Sequence, residues 1–157
     1  MLEHKALALH QSLIGLSVLV LSAIVVMMIL VACTHYDHDI PDTAPNREGF
    51  ERHFGFEVPP DVMELYYFAD EMGVDVLYQL GFKASPETIA HIAENLGLEQ
   101  VASDRVSLDL AYDFPWWDEE DIERATLYWK SASEEDYWWG LWYNPDTQRA
   151  YYIEYSL

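Results

Sequence analysis

Residues 12–32, "SLIGLSVLVLSAIVVMMILVA", are an apolar run without one ionisable group. At about 1.5 Å per residue, a helix over this run covers roughly 31 Å, close to a bilayer's hydrocarbon thickness. The pattern then turns polar. "THYDHDIPDTAPNREG", residues 34–49, has two prolines and no periodicity, and predicts a tether over 33–48. In "NREGFERHFGF", Phe50 and Phe54 share a helical face, with His53 as a packed or exposed neighbour. Over 62–72, helical spacing of Val62, Leu65, Tyr66 and Ala69 competes with the strand preference of Tyr66-Tyr67-Phe68. Val74, Val76, Tyr78, Leu80 and Phe82 alternate, and the preferred reading is a hairpin turning near Met72-Gly73. "SPETIAHIAENLGL" predicts a helix with Ser85 as N-cap, Pro86 in the first turn and Gly97 as its stop. Its apolar stripe is Ile89, Ile92, Ala93 and Leu96, which leaves His91 facing solvent.

The last third predicts antiparallel strands: "ATLYWKS", "YWWGLWY" and "RAYYIEYSL", the last two joined by "NPDTQ". With Tyr143 opposite Arg149, Leu141 meets Tyr151 and Trp139 meets Ile153, forming a core face. The other face carries Trp138, Trp142, Tyr152 and Glu154, with Gly140 opposite Tyr152. Either this second face is a surface binding site or a helix covers it too and its residues are core. The expected fold class is α+β: an antiparallel sheet rich in Trp and Tyr, with one or two helices on one face, preceded by an N-terminal hydrophobic helix. The expected organisation is a signal peptide or transmembrane helix at 1–32, a tether at 33–48 and a single domain at 49–157.

Charge sharpens this division. Of 28 acidic residues only Glu3 precedes Cys33, and of eight basic ones only Lys5 does, so the remainder keeps 27 against 7. Every Trp, Tyr and Phe also follows Cys33. Acidic disordered chains are poor in aromatics, so this composition predicts a folded, very acidic domain. Its field repels nucleic acid and anionic lipid and favours cationic partners. The single Cys excludes an internal disulfide.

Leu30-Val31-Ala32-Cys33 resembles a bacterial lipoprotein signal with its lipobox. The resemblance covers the first 33 residues. It implies lipid transfer to the Cys33 thiol, cleavage after Ala32 and acylation of the new amino terminus. The alternative is an uncleaved span, since a signal peptide's apolar core is usually shorter. Both give one topology. Lys5 stands on one side, Asp37, Asp39 and Asp42 on the other, so residues 33–157 are expected outside the cytoplasm, at the cell membrane or outer membrane. The layout of the remainder resembles small bacterial lipoproteins with α+β domains, a likeness too general to transfer an activity.

Candidate chemistry is sparse. His35, Asp37, His38 and Asp39 are weak metal-ligand candidates, outweighed by a solvated linker. Asp118, Glu119, Glu120 and Asp121 offer oxygens to calcium, but lack a spaced ligand loop and read better as an acidic first helical turn. There is no nucleophile motif, phosphate loop or spaced metal signature, so no catalytic residue or cofactor is assigned and no enzyme is expected. The expected activity is a membrane-anchored protein-binding or inhibitor/immunity-type module for a basic partner. The alternative is a glycan-binding or adhesion domain. The candidate binding residues are Trp138, Trp142, Tyr152, Trp116 and Trp117, with Cys33 as the lipidation site.

Overall fold

Three local signals start and stop the first helix, α1 (Ala44–Phe54). The Thr43 hydroxyl accepts the Asn46 N–H at 3.3 Å, Pro45 occupies the first turn, and Gly55 ends the helix at φ 75°. The computed structural model describes residues 38–71, 75–102, 111–132 and 137–156. The apolar run 12–32, Cys33, His35, Asp37 and the turn at Met72-Gly73 lie outside the described residues. Among the described residues no helix is long and apolar enough to cross a membrane.

After α1 come β1 (Met63–Asp70), β2 (Val76–Lys83), α2 (Pro86–Leu96), β3 (Glu99–Val101), α3 (Glu119–Glu123), β4 (Thr126–Ala132), β5 (Tyr137–Asn144) and β6 (Arg149–Ser156). The strands form one antiparallel sheet in the order β1-β2-β6-β5-β4-β3. The fold class is therefore α+β. The choice between helix and strand resolves to strand at Met63–Asp70, and α2 has the caps the sequence predicts, Ser85 and Gly97.

Two layers cover the sheet. On one face, Phe50 and Phe54 of α1 and Ile89, Ile92 and Ala93 of α2 pack on Leu65, Tyr67, Leu80, Phe82, Leu141, Tyr143 and Tyr152. On the other, Trp116, Trp117 and Ile122 pack on Leu127, Trp142, Tyr151 and Ile153. The expectation of helices on one face is thus corrected. Residues 111–125, including the short α3, cover the second face as well. Gln79 ties that cover down, its side chain donating to the Tyr112 carbonyl at 3.2 Å and accepting the Tyr112 N–H at 2.7 Å. Gly81 makes room for it, because a Cβ there would lie 2.5 Å from the Trp116 ring.

The β5–β6 register differs from the sequence expectation by one residue. Asn144 faces Arg149, Leu141 faces Tyr152 and Gly140 faces Ile153. Four residues, 145–148, make the connection, with Gln148 left-handed at φ 55°. A one-residue slip moves a whole strand's side chains to the other face. Tyr152 and Glu154 therefore lie across the sheet from Trp138 and Trp142.

The expected tether is corrected too, because its residues 38–48 belong to the folded unit. Asp42 accepts the N–H groups of Glu64 and Leu65 at 3.2 and 3.1 Å, and its own N–H donates to the Leu65 carbonyl at 2.8 Å. Buried Asn46 donates to the carbonyls of Ile40 and Leu65, both at 2.8 Å. Trp116 Nε1 donates to the His38 carbonyl at 2.8 Å. These bonds carry residues 38–43 as a strap across the start of β1. The pairing breaks there in a bulge between Met63 and Tyr66, with Glu64 at φ 51°.

Candidate functional site

The candidate binding aromatics do not form one open surface. Trp142 is 2% exposed, and the Trp117 ring packs edge-on against it and against Tyr151. Trp116 is 5% exposed and stacks on both Tyr66 and Phe114, at 5.4 and 4.9 Å. Tyr152 is buried on the opposite face, where its ring meets Phe54. These four residues are core, and the expectation that they line an exposed binding surface is corrected for them; of the four, only Trp142 is buried beneath a cover on the face where the sequence placed it. Trp138 alone is half-buried, stacked on Tyr155 at 5.0 Å near the sheet's far end.

The acidic run resolves into separate roles. Asp118 is the N-cap of α3, accepting the Asp121 N–H at 3.0 Å, and Glu119 and Glu120 are exposed in the first turn. Asp121 turns inward and is 2% exposed. Its carboxylate accepts from Asn144 Nδ2 at 2.8 Å, Thr147 Oγ1 at 3.0 Å and the Tyr151 hydroxyl at 3.1 Å. It pins α3 to the β5–β6 turn. Among the described residues no group of three or more His, Cys, Asp or Glu is arranged to hold a metal. His38 lies 3.4 Å from Asp39, with its ring against Phe68 and Phe114.

Sequence reasoning missed a buried polar cluster beneath α1. His53 Nδ1 lies 2.7 Å from Glu154 Oε2, and its Nε2 lies 3.0 Å from the Tyr67 hydroxyl. Tyr152 and Tyr137 donate to the same carboxylate at 2.7 and 2.6 Å. Burial pushes the Glu154 pKa up, but the bonds from His53, Tyr137 and Tyr152 outweigh it and hold the carboxyl below its ordinary value. Burial and the neighbouring carboxylate raise the Tyr152 and Tyr137 hydroxyls well above theirs. The available signal was a single carboxylate within "YYIEY" at an inward-facing strand position. The cluster spends its hydrogen bonds on itself, so its chemistry is that of a structural joint between α1 and the sheet.

A cleft of about 150 Å³ opens beside the strap, lined by Asp39, Tyr66, Pro115, Trp116 and Arg149. Arg149 is half-buried and donates to Glu64 at 3.2 Å, and Lys83 reaches the same carboxylate at 2.6 Å.

Comparison with known proteins gives no match to any family model, curated protein or solved structure.

The exposed charges of the described residues are mostly acidic. Sixteen Asp and Glu residues are exposed among the described residues, against the exposed cations Arg47, Arg52, Arg124 and Lys130. Glu119, Glu120, Glu123 and Asp146 crowd one region, since Asp121 joins α3 to the turn that carries Asp146. Glu71 and Asp75 flank the β1–β2 turn at the other end of the sheet.

Proposed function

We propose that this chain is a membrane-anchored, extracytoplasmic binding domain of the inhibitor or immunity type, whose partner is a basic protein. The observation that carries the reading is the excess of exposed carboxylates over exposed cations on a folded domain. Such a field accelerates encounter with a cationic surface and repels anionic ones. The anchor rests on the apolar run 12–32 and its ending in Leu30-Val31-Ala32-Cys33. Burial of Trp116, Trp117 and Trp142 removes three of the aromatics on which a sugar could stack.

The test is capture of partners from envelope extract on the purified chain at two salt concentrations. The screening length falls from about 10 Å at 0.1 M to about 3 Å at 1 M salt. A basic protein retained specifically at the lower concentration should be released at the higher. Retention that is unchanged by salt, or a captured partner that is itself acidic, contradicts the proposal.

A further inference from the structure

We infer that the corner formed by Ile40, Met63, Arg47, Lys83 and Arg149 is a membrane-contacting surface that lies on phospholipid headgroups. The inference rests on the anchored reading above and adds how the domain stands on its bilayer.

Four observations converge on this corner. The first is covalent. Cys33 and His38 are five residue steps apart, and an extended chain reaches at most ~3.6 Å per step, so a domain anchored at Cys33 keeps His38 within roughly 18 Å of the headgroups. Correcting the tether matters here, because residues 38–43 are spent on the strap and add no length. The second is apolar exposure. Three large hydrophobic residues are exposed among the described residues, and two of them, Ile40 at 54% and Met63 at 56%, flank the strap. The segments that carry them are joined where Asp42 bonds the N–H groups of Glu64 and Leu65.

The third observation is charge. The corner holds three of the six cationic side chains among the described residues, Arg47, Lys83 and Arg149, against Asp39, Asp42 and Glu64. With exposed Glu48 beside Arg47 the corner carries a formal charge of about −1, on a domain that is otherwise strongly acidic. Asp42 is occupied by backbone N–H groups, and Glu64 holds both Lys83 and Arg149. An anionic bilayer repels this corner less than the carboxylate-rich region around Glu119, Glu120, Glu123 and Asp146, and long Lys and Arg stems suit an interface between apolar and charged layers. The fourth is backbone conformation. Asp42 and Glu64 both adopt positive φ, 59° and 51°, which is uncommon for residues other than glycine. That conformation, with the bulge, fixes the corner's shape. Contact here leaves the acidic β1–β2 turn, at the opposite end of its strands, free for a partner.

The experiment uses the full chain with the photoreactive amino acid p-benzoylphenylalanine at Ile40, at Met63, or at Glu94, an exposed position on α2. Each protein is reconstituted into vesicles of phosphatidylethanolamine and phosphatidylglycerol, irradiated, digested and weighed peptide by peptide. Lipid adducts at positions 40 and 63, and none at 94, are the expected result. A chain that co-sediments with the vesicles yet forms no adduct at 40 or 63, or forms as many at 94, overturns the surface and leaves the anchor standing. A chain that does not co-sediment overturns the anchored reading and this inference with it.

Discussion

Replacing Trp142 by Ala should cost about 3–5 kcal/mol, the usual range for emptying a large aromatic site in a core. The ring is 2% exposed, meets Trp117 edge-on, and covers Gly140, where a Cβ would lie 3.0 Å from it. Domains of this size have about 5–15 kcal/mol in total, so the variant should melt far lower or fail to fold. Trp138→Ala is the matched control. Trp138 lies on the same face of the same strand but is half-buried, and its stacked partner Tyr155 is half-buried too. Its loss should be nearer 1 kcal/mol, the worth of an aromatic pair beyond area burial. Denaturant midpoints of the two variants measure the difference. Equal midpoints would mean that residues 111–125 do not cover the sheet as described.

Alkali should unfold the domain over a narrow range above pH 10. Burial raises the pKa of Tyr137, Tyr143, Tyr151, Tyr152 and Tyr155, and burial with a bond to Glu71 pushes Tyr78 up to about 12. An unfolded Tyr titrates near pH ~10, so the folded state holds protons that the unfolded state releases above that point. The associated stability is complete below pH ~10 and falls as pH rises toward about 12 and beyond. Glu154 works in the opposite direction. Its folded pKa is depressed, so its contribution is present above the unfolded carboxyl value near ~4.3 and disappears as pH falls through the folded value. Denaturant midpoints should hold steady across neutral pH, then drop on both sides. Tyrosinate absorbance should rise together with loss of structure at high pH. Smooth tyrosinate formation from pH ~10 with the fold intact would show that these hydroxyls are not held as described.

Elements specified by neighbours in sequence were legible. Ser85, Pro86 and Gly97 define α2 with no reference to the rest of the fold, and Tyr78, Leu80 and Phe82 alternate because one side of β2 is buried against α1 and α2. What was not legible depended on distant partners. The strap looked like linker because polar bonds from Asp42 and Asn46 hold it, and such bonds leave no hydrophobic period. Trp116-Trp117 lies in a short non-periodic segment, so its place as the lid of the second face depended on Gly81 and Gln79, far away in the chain. The β5–β6 slip turned on one left-handed residue, Gln148, which a five-residue reading of the turn could not anticipate. Asp121 looked like its acidic neighbours, and only the approach of Asn144, Thr147 and Tyr151 sets it apart.

The candidate site moved for the same reason. A period-2 pattern assigns side chains to faces but does not say what covers each face. Once both faces are filled, the exterior of the described residues is rich in carboxylates, and Ile40 and Met63 are two of its three exposed large hydrophobic residues.

Everything proposed for this domain depends on its being held at a membrane by the segment that ends at Cys33. The most direct measurement is the intact mass of the protein extracted from membranes of cells that make it. A chain beginning at Cys33 and heavier than its sequence by a diacylglyceryl group and an acyl chain is the predicted result. An unmodified chain in that extract would contradict lipidation at Cys33, and a chain found only in the soluble fraction would contradict the account.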